Sequence, residues 1–398
     1  MPNAKEKSPY SYIDLIKDIV AQRSAERGVR VHDLKLQSLR KRPTIKKGTW
    51  GTTETGLPMT RAEYERRLGD FKKRLPAVLF PPTDTVFSLT DGTGPVASFP
   101  EILREKRDAQ LTFSSAVPSP FEINNTARAF VYPGGAEKAV VILPNLRAEP
   151  RAFARLGRLL SRFGYTSLEV VHPYHGVRHD PADTTMVPGE RLFSSNVHET
   201  LWSFSQGISD ILGILLFLIK HGYKRIGIVG TSIGSTLTVM SLSFAKDYRA
   251  HLARENPDLV EGVPEGICLA AVINLSGGYL RDFITDPDNI EATFVRKGLV
   301  EDLGLSGHEI EQLWPVADPM RFVDKITMPV LSVKTRQDPV LLYRYSSMQR
   351  EFFAKNAVGG KNFTEFYIPV PAGHYSATYF LPKMFLGIAD LLFILRHV

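Results

Sequence analysis

Residues 225–235 read Arg-Ile-Gly-Ile-Val-Gly-Thr-Ser-Ile-Gly-Ser, an apolar strand running directly into Gly230-Thr231-Ser232-Ile233-Gly234. A Gly-x-Ser-x-Gly pentapeptide at a strand-to-helix junction is the sequence form of a nucleophile elbow. The turn is so sharp and strained that the positions two residues either side of the serine have no room for a bulky side chain. The helix that follows carries Leu237, Val239, Met240 and Leu242. Its first N–H groups and positive dipole end point to where an oxyanion would develop. The pentapeptide alone is a loose pattern. The β-branched run before it and the apolar helical stretch after it make it informative.

From about residue 109 the chain alternates short strands with helices, the signature of a mostly parallel α/β sheet. Strands are expected at 111–117, 126–132, 139–143, 167–171, 225–229, 267–275, 329–334 and 364–370, eight in all. Helices are expected at 153–163, 197–221 and from about 375 to 395. Between Gly278 and Ile326 lies a largely helical insertion, with Ser306-Gly-His-Glu309 as a capping box. The region before 109 reads as helices and connectors. An apolar stripe, Ile13 to Val20, marks one helix, and the capping box Thr60-Arg-Ala-Glu63 opens another through about Leu75.

A serine hydroxyl needs a base to take its proton and an acid to hold that base in the right tautomer. Two residues stand where strands end. The strand ending at Lys334 delivers Asp338 in Thr-Arg-Gln-Asp-Pro-Val, and the strand ending at Val370 delivers His374 in Pro-Ala-Gly-His. Ser232, Asp338 and His374 thus come in the chain order serine, acid, histidine, each on a loop after a strand. Should Asp338 prove only a turn residue, Asp282 is the next carboxylate to consider. Oxyanion stabilisation needs two N–H donors. One is expected from Ile233, directly after the serine, and the other from Leu146 in the loop after strand 139–143. Pro144 has no N–H, which leaves Asn145 or Leu146, and position favours Leu146. His172, His175 and His179 share one loop, but their spacing matches no metal site, and satisfied loop histidines are expected.

With these residues in place, 109–398 resembles the α/β-hydrolase superfamily. The loop His172-Pro-Tyr-His-Gly-Val-Arg178, Ser119-Pro120 and the long N-terminal extension are similar to the α/β-hydrolase domain-containing protein eighteen group. That group shows an Asn-Pro-Tyr-Tyr-Gly-x-Arg-like loop and Met-Gly-Gly after the serine, where this chain has His172, His175 and Ile233-Gly234-Ser235. The resemblance implies an α/β-hydrolase fold with an eight-stranded sheet, a basic, mainly helical extension over 1–108, and a catalytic domain over 109–398. Within that domain, residues 279–325 would form a helical cap. Leu280, Phe283, Ile284, Phe294, Leu299 and Trp314 could line a pocket beneath it. The activity implied is serine hydrolysis of a small-molecule or lipid carboxylic ester, without metal or organic cofactor. A peptidase or thioesterase would use the same triad, and a non-catalytic binding protein on this fold is the alternative outside enzymology.

Composition sets the remaining bounds. The single cysteine, Cys268, rules out an intramolecular disulfide framework, and its apolar run predicts a buried thiol. No uninterrupted apolar stretch reaches the ~18 residues that a membrane span needs, and no secretory h-region opens the chain. A cytoplasmic protein without stable membrane insertion is expected. The net charge is +7; residues 1–80 hold 18 Lys and Arg against 9 Asp and Glu, so the surplus lies there. No nucleic-acid motif accompanies it, and a solvated helical face, with a possible homo-oligomer contact, is the expected reading.

Overall fold

Apolar runs too short for helices and buried on both sides dictate a sheet, and ten strands pair into one. The computed structural model describes residues 48–398 apart from 54–56, 97, 183–187, 288, 290–291, 315–316, 337, 339, 342, 357–361, 371 and 375–379. The described residues belong to one compact unit. Its strands are β1 (Ser88–Asp91), β2 (Gly94–Pro95), β3 (Ala109–Ser114), β4 (Thr126–Tyr132), β5 (Lys138–Leu143), β6 (Tyr165–Val171), β7 (Arg225–Thr231), β8 (Ala270–Asn274), β9 (Val330–Lys334) and β10 (Phe363–Tyr367). Their order across the sheet is β10-β9-β8-β7-β5-β6-β4-β3-β1-β2. Strands β5 to β10 run parallel, and β4, β3, β1 and β2 continue the sheet antiparallel.

Strand β5 shows why both faces must be covered. Ala139, Val141 and Leu143 enter the main core, while Val140 and Ile142 enter a second core on the opposite face. Each fully buried Val, Ile or Leu contributes roughly 1.5–3 kcal/mol. The helices that cover the sheet include α1 (Arg61–Lys73), α2 (Ala154–Arg162), α3 (Val197–Lys220), α4 (Ile233–Glu255), α5 (Tyr343–Asn356) and α6 (Phe380–His397). Helix α3 is long and apolar enough to cross a membrane by composition, yet it lies inside the fold with 94% of its most apolar stretch buried. Helix α6 packs Ile394 and Phe393 into the second core.

The sheet has ten strands, not the eight expected. The extra pair is the β1–β2 hairpin, joined through Gly92-Thr93 and laid antiparallel on β3 through Leu89 opposite Leu111. Asp91 holds the turn, its Oδ1 accepting from the Thr93 amide at 2.7 Å and the Gly94 amide at 3.2 Å. The boundary expected at residue 108 therefore falls inside the compact unit. Helix α1 makes the same point: Tyr64 and Phe71 are buried, and the Phe71 ring lies 5.3 Å from that of Trp202 on α3. Thr60 caps α1 through the Glu63 amide, but the Glu63 carboxylate turns to Arg66 and Arg67 and leaves the box half-made. At Ser306 the box is complete.

The insertion after Gly278 is helical, as expected, but its apolar residues do different work. Ile284, Leu299 and Trp314 are buried in the main core, and Leu280 and Phe283 pack against it. The Trp314 indole N–H donates to the Val197 carbonyl at the start of α3, at 2.8 Å. Burial also sets Cys268, whose thiol is pushed up to about 12. The helix marked by Ile13 to Val20 lies outside the described residues.

Candidate active site

Strand order reverses around β5: the chain leaves β5 through α2 to reach β6 on one side, then returns through α3 to β7 on the other. Crevices open at such switch points, beyond the carboxyl ends of the strands. Ser232 stands there, between β7 and α4, with φ 56° and ψ −117°. This is a region that L-residues avoid, so the turn must be over-determined by its surroundings. The Ser232 amide donates to the Asn274 carbonyl at the end of β8, at 2.8 Å. The buried Ser235 hydroxyl donates to the same carbonyl at 2.7 Å and to that of Gly230 at 2.9 Å. A Cβ at Gly230 would collide with the Gly234 carbonyl and the Thr238 hydroxyl. One at Gly234 would collide with the carbonyls of Leu143 and Pro144. The glycines expected from the motif are thus required by backbone approach.

Asp338 lies in the loop after β9, and His374 follows β10. His374 Nδ1 lies 2.9 Å from Asp338 Oδ2, and Nε2 lies 2.9 Å from Ser232 Oγ. A carboxylate only accepts, so Nδ1 carries the proton, and the Nε2 lone pair receives the Ser232 hydroxyl. That tautomer is the one in which the imidazole can take the serine proton. The other Asp338 oxygen accepts from the Val340 and Leu341 amides, at 2.9 and 2.8 Å. Asp338 therefore serves as turn residue and histidine partner together. Side-chain exposure is 3% for Asp338 and 10% for His374, so solvent screens this pair weakly. Asp282, the alternative acid, sits on the helix Leu280–Thr285 and pairs with Arg281.

Three residues far apart in sequence thus converge at three strand ends, with the sheet order that places them there. The chain has the α/β-hydrolase fold. Among solved structures, an acetyl xylan esterase from Paenibacillus sp. R4 is similar over 83% of this chain and 94% of its own, with TM-score 0.56 and 15% identity. An acylaminoacyl peptidase from Pyrococcus horikoshii is similar over 79% of this chain and 48% of its own, with TM-score 0.50 and 12% identity. No family model matches the sequence, and no curated protein does. The loop after β5 turns sharply. Arg147 adopts φ 61°, and the Ala148 amide closes a turn on the Asn145 carbonyl at 3.1 Å. The Leu146 and Ile233 amides donate to no other described residue.

Two residues of the β6 loop do more than sequence reading assigned to them. His172 and His175 are buried and hydrogen-bond backbone groups of the β5 loop. No periodic or spacing signal marks them, because their partners are backbone groups 28 residues away. His179 makes only a turn, its amide donating to Gly176, among the described bonds.

Proposed function

We propose that the protein is a serine hydrolase that cleaves a carboxylic ester through an acyl-enzyme intermediate. The observation that carries this reading is the unbroken line Ser232 Oγ, His374 Nε2, His374 Nδ1, Asp338 Oδ2, with both contacts at 2.9 Å. Ser232 Oγ attacks the acyl carbon as its proton passes to His374 Nε2. The carbonyl oxygen becomes an oxyanion held by the Ile233 and Leu146 amides. When the tetrahedral species collapses, the bond to the alkoxy oxygen breaks and His374 returns the proton to the departing alcohol. Water then attacks the acyl-serine, gives its proton to His374, and the second collapse releases the acid and restores Ser232. Asp338 stays ionised throughout and stabilises the imidazolium. The acetyl xylan esterase similarity agrees with an ester as the bond broken.

The test is a p-nitrophenyl ester series from acetate to longer acyl chains, run with matched anilides and thioesters. Turnover of esters well above anilides, abolished in Ser232→Ala, is the expected result. Faster turnover of the anilides would make the protein an amidase, and no Ser232-dependent turnover of any of the three would contradict the proposal.

A further inference from the structure

We propose that His172 and His175 are positioning residues that clamp the loop carrying the Leu146 oxyanion donor; this rests on the acyl-transfer reading above. Residues 144–149 leave the sheet at the end of β5, so no ladder bond fixes the Leu146 amide. An oxyanion donor is useful only when held at a fixed place before the charge appears. The loop contains a left-handed arginine, Arg147, which needs surrounding restraint to persist.

The two histidines supply that restraint on both sides of Leu146. His172 Nε2 donates to the Pro144 carbonyl at 2.8 Å, two residues before the donor. The Arg147 amide, one residue after it, donates to His175 Nε2 at 3.0 Å. The tautomers are set by these partners. His175 Nδ1 donates to the Pro173 carbonyl at 2.8 Å, which leaves Nε2 as the acceptor that Arg147 requires. A protonated His175 would have no lone pair there. Burial pushes both rings down, to about 4 for His172 and about 3 for His175, so both are neutral where the triad works.

The clamp is itself anchored. Arg178, at the end of the same loop, is fully buried and pairs with Asp210 of α3 at 2.8 Å. Its guanidinium also donates to the carbonyls of Val171 and Asn124. Asn124 Oδ1 accepts the Tyr174 amide at 2.8 Å, midway between the histidines. The chain of contacts therefore runs from the core helix, through Arg178 and the loop, to both flanks of Leu146. It ends at Gly234, where a Cβ would meet the Pro144 carbonyl at 2.6 Å.

The experiment uses the full chain with His172→Phe and His175→Phe, which fill the space without the bonds. His172→Gln and His175→Gln, whose amides reach about as far as Nε2, are their rescue partners. kcat and KM on p-nitrophenyl acetate, melting temperature, and inhibition by an alkyl trifluoromethyl ketone are measured for each. The ketone adds Ser232 to give a hemiketal oxyanion, so it reports the oxyanion hole. Each Phe variant is expected to lose roughly 10–100-fold in kcat, somewhat less than deleting a donor outright. KM should stay close to wild type, ketone affinity should fall by the same factor as kcat, and Gln should restore most of both. Phe variants with wild-type kcat and ketone affinity, or a kcat loss without a matching ketone loss, would overturn the clamp. If a Phe variant does not fold, His172→Asn or His175→Asn, whose amide is too short to reach the backbone partner, takes its place and is read in the same way. Loss of kcat with matching ketone loss supports the clamp, and wild-type values overturn it. An active wild type with unaffected variants sinks the clamp alone, whereas a wild type without ester turnover sinks the acyl-transfer reading.

Discussion

Ser232 occupies a backbone conformation that costs on the order of 1–3 kcal/mol, and its neighbours hold it there. Gly234→Ala would push a methyl into two carbonyls of the β5 loop, so a soluble but nearly inactive protein, or one that fails to fold, is expected. Ser232→Ala removes only one oxygen from a half-buried site and should leave the melt within a degree or two of wild type. Asp338→Asn preserves both turn bonds to Oδ1 but favours the wrong histidine tautomer. Turnover should fall by about 10⁴ with little change in melting temperature, measured by steady-state kinetics and calorimetry. Near-normal turnover would send the search to another carboxylate. At this scale the convergence of Ser232, Asp338 and His374 was legible from their order and their places at strand ends. His172 and His175 were not readable as a clamp, because a histidine bonding to backbone leaves no trace in the partner's side chain.

Elements were legible where both faces of a strand are apolar, as at β5 and β7, since only a covered parallel strand tolerates that pattern. The β1–β2 hairpin was missed although Asp91-Gly92 is a hairpin signal, because four residues of mixed polarity give no alternation to count. In the insertion, Ile284, Leu299 and Trp314 were expected beneath a cap and are core residues; apolarity cannot distinguish a pocket wall from a core wall. Shortening 279–325 is therefore expected to destabilise the fold and to reduce long and short esters alike, as thermal melts and a chain-length series would reveal. Helix α6 carries a second test. Asp390 on α6 accepts from the Asn274 amide side chain at 2.9 Å, and burial pushes it up to about 7. A carboxyl raised in the folded state stabilises most at low pH, and that contribution is lost as pH rises from about 4 through about 7. Melts at pH 5 and pH 8 should show wild type losing more stability across this interval than Asp390→Asn. Parallel behaviour would mean that Asp390 is not held protonated.

At the largest scale, the described residues form one compact unit that includes α1, and this changes what residues 61–80 of the basic extension can be. Residues 61–80 contribute Tyr64, Phe71 and Leu79 to the main core, with Tyr64 hydrogen-bonded to the Leu313 carbonyl. Each large aromatic removed from a core costs about 3–5 kcal/mol, and domains have about 5–15 in total. Deleting residues 1–80 should therefore abolish cooperative unfolding, seen as loss of the calorimetric transition. A truncated protein with an unchanged melt would show that α1 is dispensable. Charge counting placed the surplus of +9 in this segment, yet charge alone could not tell that its apolar residues enter the core.

The proposed function rests on the Ser232 oxygen, and a fluorophosphonate reports on it directly. The full-length protein is treated with the probe, digested with trypsin and mapped by mass spectrometry. The adduct is expected on the peptide from Ile226 to Lys246, at Ser232 and not at Ser235, Ser241 or Ser243, and it should vanish in Ser232→Ala. Modification of another serine, or none in a folded protein, would contradict the assignment of Ser232 as nucleophile.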